Sequence, residues 1–276
     1  MIKLNGTPLN FKVFPNGETL VDGEQIIELL KFKSREVEVE VTLKYENDSD
    51  LLKLLFVKSF LDSYYFTTNL TIAYMPYSRM DRVEGNSVFT LKYVANMING
   101  MNFEYVTVIE PHSDVTMALL DRSVALYPTT RLLHEVMADL NFDIEKDYLF
   151  FPDQGAQKRY GKHFTKFKQL VGFKERDFKT GQIDKLQLVG SVEGKGFKAI
   201  IVDDLCSYGN TFIRSSNALR DVGADKVYLL VTHAEDSIFK GSVFTSDLID
   251  KVYTTNTLLI EIPEVWESSI QVTEMI

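Results

Sequence analysis

The 276 residues contain one cysteine, one tryptophan, four histidines and seven prolines. A lone thiol, Cys206, rules out an internal disulfide and predicts a reducing, cytoplasmic setting. No apolar run reaches the ~20 residues of a membrane span. The start Met1-Ile2-Lys3-Leu4-Asn5 does not read as a signal peptide, so no membrane is expected as a partner. The chain also lacks a GxxxxGK[ST] phosphate loop, a GxGxxG dinucleotide turn, a serine-hydrolase elbow and any zinc-ligand spacing. Positive charge is in deficit: the net charge of -9 argues against nucleic acid or an anionic membrane surface as the main partner. It does not argue against nucleotides, which bind through local groups and cations.

What is present is organised around residues 199–211. Ala199-Ile200-Ile201-Val202 has no polar break and reads as a strand buried on both faces of a parallel sheet. The strand is expected to stop at the acid pair Asp203-Asp204. A small-residue turn containing Gly209 and Thr211 follows, and a helical pattern starts at Phe212. Such a turn offers backbone N–H groups and a helix N-terminus to an anion, while the acids suit ribose hydroxyls or a cation.

The same rhythm of apolar strand and polar loop runs through the chain. Leu70 to Met75 meets Pro76-Tyr77-Ser78-Arg79-Met80-Asp81-Arg82, and Val106 to Ile109 meets Glu110-Pro111-His112. Leu149 to Phe151 meets Pro152-Asp153, Gln169 to Phe173 meets Lys174-Glu175-Arg176, and Val227 to Val231 meets Thr232-His233. Helical patterns at Thr90 to Asn99, Thr130 to Leu140 and Phe212 to Val222 separate most of these pairs. Alternation of this kind predicts an α/β fold with mainly parallel sheets, whose ligands sit at the carboxyl ends of the strands. Residues 1 to 45 read as β-rich, with a turn at Pro15-Asn16-Gly17-Glu18 and an alternating strand with one wet face from Glu36 to Leu43. Asn47-Asp48-Ser49-Asp50 is expected to cap a helix. A domain boundary is placed near Tyr127-Pro128, and the polar stretch 177–182 reads as a mobile excursion.

Acids, one histidine beside an acid, and cations on loops suit a magnesium ion that bridges phosphate oxygens, with Lys and Arg facing a phosphoryl group in flight. Plainer readings stand beside these. Asp203-Asp204 would cap the following helix, Tyr208 would be a packing residue, and His134, His163 and Cys206 would be structural.

The ordered set Pro76-Tyr77-Ser78-Arg79, Asp81-Arg82, His112, Asp153 with Lys158-Arg159, Lys174/Arg176 and Val202-Asp203-Asp204 resembles the ribose-phosphate diphosphokinase (phosphoribosyl pyrophosphate synthetase) family. The match spans roughly residues 10 to 260, and the Phe14 to Glu18 turn and Thr232-His233 fit it as well. The resemblance implies two phosphoribosyltransferase-like domains, 1–128 on the ATP side and 129–276 on the ribose-phosphate side, with the site between them. It implies Mg2+ as cofactor and transfer of the β,γ-diphosphoryl group of ATP to an anomeric hydroxyl. It also implies a homo-oligomer in which a neighbour's Asn16 and Glu18 reach the adenine.

Carried over by residue, Arg79, Met80, Asp81 and His112 belong to ATP, and His112 with Asp153 to the metal. Lys174 and Arg176 stabilise the transferring group. Asp203, Asp204, Ser207, Tyr208, Gly209, Asn210 and Thr211 bind the acceptor. Three departures matter. Met80 replaces the family's Gln, its first N-terminal helix has no counterpart here, and Ser207-Tyr208 replace an Asp and a Thr in the sugar-phosphate loop. The last change favours a substituted 5'-phosphate, as in ADP-ribose, over ribose 5-phosphate. The rival readings are a phosphoribosyltransferase and a catalytically silent partner of a synthetase.

Overall fold

The computed structural model describes residues 1–30, 38–176 and 183–276, with 174–176 and 183–186 described by their backbone. The chain divides into two compact units, Met1–Tyr127 with Ile276, and Pro128–Met275. Among the described residues no helix is long and apolar enough to cross a membrane.

The first unit runs β1 (Ile2–Leu4), β2 (Thr7–Pro8), β3 (Phe11–Val13), β4 (Thr19–Val21), α1 (Gly23–Leu30), β5 (Val39–Leu43), α2 (Ser49–Ser63), β6 (Thr68–Ile72), α3 (Thr90–Gly100), β7 (Tyr105–Ile109), α4 (Asp114–Leu119) and β8 (Ser123–Leu126). Its main sheet has the order β2-β1-β5-β6-β7-β8. Strands β5 to β8 are parallel, and β1 and β2 form an antiparallel edge. Val39, Val41 and Leu43 enter the core with Leu70, Ile72 and Val108.

Three expectations need correction here. The segment before residue 45 is not all β: Asp22 Oδ1 accepts from the backbone N–H groups of Glu24 and Gln25 and starts α1, which buries Ile26 and Leu30 one turn apart. A helix therefore stands in the N-terminal region where none was expected. The wet face of β5 is only partly wet, because the strand lies between β1 and β6, and Glu40 accepts from Thr71 Oγ1 at 2.6 Å. Asp48 occupies the N-cap position of α2 but makes no side-chain cap bond.

The second unit runs α5 (Thr129–Asp139), β9 (Tyr148–Phe151), α6 (Gln154–Tyr160), β10 (Lys168–Arg176), β11 (Ile183–Val189), β12 (Phe197–Cys206), α7 (Asn210–Asp221), β13 (Ala224–Ala234), β14 (Lys251–Thr255) and β15 (Ile270–Thr273). Its sheet has the order β11-β10-β9-β12-β13-β14-β15, parallel except for the β10–β11 pair. The apolar run of β12 behaves as its composition requires. Ala199 and Ile201 pack into a core on one side of the sheet, Ile200 and Val202 into a core on the other. Each fully buried Ile or Val contributes about 1.5–3 kcal/mol, so this strand anchors both layers.

Two strands run further than expected. β12 continues through Asp203-Asp204 to Cys206, because β13 is long enough to pair with it from Asp203↔Val231 to Cys206↔Ala234. β10 likewise continues through Lys174 to Arg176 against β11, which makes these residues strand instead of loop. The 177–182 excursion lies outside the described residues.

Asp50 offers a test of what holds the first unit's helix start. It is buried, and its carboxylate accepts from the N–H groups of Glu46 and Asn47 and from Lys53 Nζ. Burial by itself would raise this carboxyl, but the bonds from Lys53 and Glu46 and the nearby positive charges outweigh it and hold the group below its usual range. The stability it contributes is therefore complete above the unfolded value of about 3.9 and is lost as pH falls through the lower folded value. Asp50→Asn is expected to destabilise the chain at neutral pH and to flatten the acid limb of its urea stability curve. An acid limb as steep as that of the parent chain would contradict this.

Candidate active site

Strand order locates the site in the second unit. From β9 the chain passes to β10 on one side of it, and later returns to place β12 on the other side. The crevice beyond the carboxyl ends of β9 and β12 is thus a topological switch point, where open α/β sheets hold their ligands. Asp153 follows β9 directly, and Asp203 and Asp204 lie in the last turns of β12.

Successive side chains on a strand alternate faces, which leaves Asp203 half-buried and Asp204 buried on the other side. Asp203 Oδ1 accepts from the Asp204 N–H at 2.9 Å. Asp204 Oδ2 lies 3.5 Å from Arg159 Nη1, on α6. Asp153 is the N-cap of α6, and its Oδ1 accepts from the Ala156 N–H at 3.0 Å. The Asp203 carboxyl is held well above the usual range, chiefly by burial, then by the charges of Asp204 and Asp153. Three carboxylates thus converge beside one guanidinium, and the site draws protons, hydroxyl donors or a cation. Among the described residues no three His, Cys, Asp or Glu side chains are arranged to cage a metal unaided. A two-carboxylate edge of this kind suits Mg2+, which keeps waters and shares its ligands with phosphates. The acid pair does not occupy the N-cap of α7: that position is Gly209, which has no side chain to bond the first turn.

The loop from Ser207 to Thr211 brings that first turn beside the acids. Gly209 has φ +81°, a conformation costing about 1–2 kcal/mol in other residues. A Cβ at Gly209 would come 2.1 Å from Val243 Cγ2, and one at Gly241 would come 2.0 Å from the Tyr208 carbonyl oxygen. The loop is therefore seated through its backbone. Tyr208 is 54% exposed, which goes against the packing reading. Asn210 is exposed and Thr211 half-buried at the start of α7, a helix with no acid in its first turn. An uncapped helix start of this composition is suited to an anion.

In the first unit, two site loops follow adjacent parallel strands. Beyond β6, Pro76 to Met80 forms a tight turn in which the Met80 N–H donates to the Tyr77 carbonyl at 2.9 Å. Arg79 and Met80 are exposed and Asp81 half-buried, while Arg82 pairs with Glu84 and lies 4.0 Å from Asp81. Beyond β7, the buried Glu110 has φ +41° and leads to the half-buried His112. Backbone held in this region by a residue with a side chain is a mark of function or tight packing. Asn16 and Glu18 lie at the exposed tip of the β3–β4 hairpin, where Asn16 Oδ1 accepts from the Glu18 N–H at 3.1 Å.

Known proteins resemble this chain over most of its length. The family described as phosphoribosyl synthetase-associated domain matches residues 174–275. A ribose-phosphate pyrophosphokinase of Sulfurisphaera tokodaii is 27% identical over 255 residues, covering 90% of this chain and 83% of that protein. One from Pyrococcus furiosus is 26% identical, covering 91% of this chain and 86% of its own. The crystal structure of phosphoribosylpyrophosphate synthetase from Mycobacterium smegmatis superposes with a TM-score of 0.73 at 20% identity, over 97% of this chain and 86% of that one. The chain is similar to the ribose-phosphate pyrophosphokinases over about nine-tenths of its length. Its fold is theirs: two phosphoribosyltransferase-like units, each a mainly parallel sheet flanked by helices.

The residues that sequence reasoning overlooked are those behind the loop. Ser207 Oγ and Ser237 Oγ are 3.0 Å apart, Ser237 Oγ donates to Glu235 Oε2 at 3.0 Å, and the Glu235 N–H donates to the Cys206 carbonyl at 2.9 Å. Their signal was present, since Glu235 and Ser237 directly follow the polar end of β13. His233 is a buried structural group whose Nδ1 shares a hydrogen bond with Thr257 Oγ1 at 2.7 Å. Burial pushes the Cys206 thiol well above its usual range, which leaves it inert.

A carboxyl whose folded pKa is raised lends stability below its unfolded value and loses it as pH rises through the folded one. Asp203→Asn, which keeps an oxygen to accept from Asp204, is therefore expected to raise the melting temperature at neutral pH. It is also expected to lower turnover by about a hundredfold. A variant that melts lower than the parent at neutral pH would contradict the charge assignment.

Proposed function

We propose that this chain transfers the β,γ-diphosphoryl group of ATP to the anomeric hydroxyl of a 5-phosphoribosyl acceptor, releasing AMP. The observation that carries the reading is the convergence of three carboxylates with an uncapped helix start at the β9/β12 switch point. The acids suit the sugar hydroxyls, and the N–H groups of the turn suit its 5'-phosphate. In this assignment the acceptor oxygen forms a bond to the β-phosphorus as the bond between the α,β-bridging oxygen and that phosphorus breaks. AMP leaves and the hydroxyl proton is lost.

The residues take distinct parts. Asp203 and Asp204 bind and orient the furanose hydroxyls, and Ser207 to Thr211 hold the phosphate. Arg79 binds the ATP phosphates, with Met80 and Asp81 beside the nucleotide and His112 on the metal–nucleotide side. Asn16 and Glu18 reach the adenine of a second copy in a homo-oligomer. Lys174 and Arg176 meet the charge of the group in transfer. His112 in its unit and Asp153 in its own are each candidate ligands for Mg2+, which would supply charge neutralisation to the phosphates when bound.

For the acceptor we assign ADP-ribose. The relatives are named for ribose phosphate, but the exposed Tyr208 beside Ser207 would offer an aromatic face to a base attached through a substituted phosphate. Purified chain with magnesium and ATP is expected to release AMP at least tenfold faster with ADP-ribose than with ribose 5-phosphate at equal concentration (~1.4 kcal/mol). Ser207→Asp with Tyr208→Thr is expected to reverse that order. Faster turnover of ribose 5-phosphate by the parent chain would overturn the acceptor assignment, and no AMP with either would favour the silent-partner reading. Lys174→Ala is expected to lower kcat by about a hundred- to a thousandfold while leaving the KM for ATP nearly unchanged, as for a contact made in the transition state. An unchanged kcat would remove Lys174 from the mechanism.

A further inference from the structure

The acid at the start of α2 is turned away from its helix. Asp48 sits at the N-cap position, yet its carboxylate bonds no N–H of the first turn. Its Oδ1 instead accepts from two phenols, Tyr45 Oη and Tyr77 Oη, each at 2.5 Å. The two rings are tilted by 56° with centroids 6.3 Å apart, so they converge on one oxygen from different directions. The two bonds hold the Asp48 carboxyl below its usual range, and the bond to Asp48 is the main cause of the raised value of the Tyr77 phenol.

Tyr77 has φ +61°, a left-handed conformation that a residue with a side chain rarely keeps without outside support. It lies in the turn that presents Arg79, two residues on. The rest of the turn is braced as well: Ser78 is buried with Oγ donating to Tyr74 Oη at 2.9 Å, and the Leu91 N–H donates to the Met80 carbonyl.

We propose that Asp48, together with Tyr45 and Tyr77, is a positioning device that fixes the backbone of the Pro76–Met80 turn and so aims Arg79 at the ATP phosphates. This rests on the assignment of ATP to that turn. The side chains of the device do not touch the nucleotide; they restrict the turn to the one backbone state in which the guanidinium is correctly directed. A turn released from Asp48 returns Tyr77 to ordinary backbone space, and Arg79 loses its alignment in the ground state and the transition state alike. The expected signature is thus a rise in KM for ATP with kcat preserved.

The test uses the full chain, with AMP release measured at saturating acceptor and varied magnesium-ATP. Tyr77→Phe, which deletes one hydroxyl, and Asp48→Asn are each expected to raise the KM for ATP about tenfold, with kcat within about twofold and the acceptor KM unchanged. The double variant is expected to be no worse than either single one, because the three groups act as a unit. Asp48→Glu, which keeps an acceptor for the phenols, is expected to recover part of the affinity. Arg79→Ala separates this proposal from its premise. If Arg79→Ala raises the KM for ATP while folded Tyr77→Phe does not, the device is refuted and the ATP assignment stands. If Arg79→Ala leaves that KM unchanged, the ATP assignment itself fails. A loss of melting temperature in Tyr77→Phe with both KM values rising together would mark a general structural role and also overturn the proposal.

Discussion

Repulsion among clustered carboxylates governs the second unit. Asp203, Asp204 and Asp153 are gathered at one crevice, and Arg159 answers the buried Asp204. A fold does not gain stability from such an arrangement, because carboxylates that share a partly buried site disfavour one another's ionisation. The arrangement persists because β12 is anchored by apolar residues in the cores on both sides of its sheet and because the long β13 extends the pairing past the acids. The stability supplied by Ala199 to Val202 thus holds the next two residues where a charged ligand or a sugar can relieve them.

Backbone conformation completes the site. Gly209 turns the chain into α7 without a side-chain cap, and Gly241 lets the loop rest directly on its neighbour. Both features leave the helix start close in sequence to the acids, an arrangement suited to a phosphate beside hydroxyl groups. In the first unit the same logic is met with strained residues: Tyr77 and Glu110 adopt positive φ just beyond neighbouring strands, each at the head of a site loop.

Much of this was legible in the residues. The unbroken apolar run before Asp203 could be read as a strand buried on both faces, because side chains alternate between faces and an apolar residue at every position needs a core on each. The polar strand ends could be read as a ligand-binding edge because they recur in register with the strands. Other features depended on partners distant in sequence. The extent of β12 is set by the length of β13, and the seating of the Tyr208 backbone depends on the lack of a side chain at Gly241. The start of α1 was written locally in Asp22, but an eight-residue helix beside a hairpin carries too little periodicity to stand out. The Tyr45–Asp48–Tyr77 contact joins segments that only the fold brings together, so Asp48 read as an ordinary helix cap.

The switch-point crevice gathers Asp153, Asp203 and Asp204 so closely that a bound cation or sugar would relieve their mutual repulsion. Isotope-edited NMR titration of the Asp203 carboxyl carbon tests it most directly, first in the chain alone and then with magnesium and acceptor added. The account expects a carboxyl that titrates well above the usual aspartate range alone and falls towards that range once both are bound. A carboxyl that titrates as an ordinary surface aspartate throughout, with no response to either addition, would contradict it.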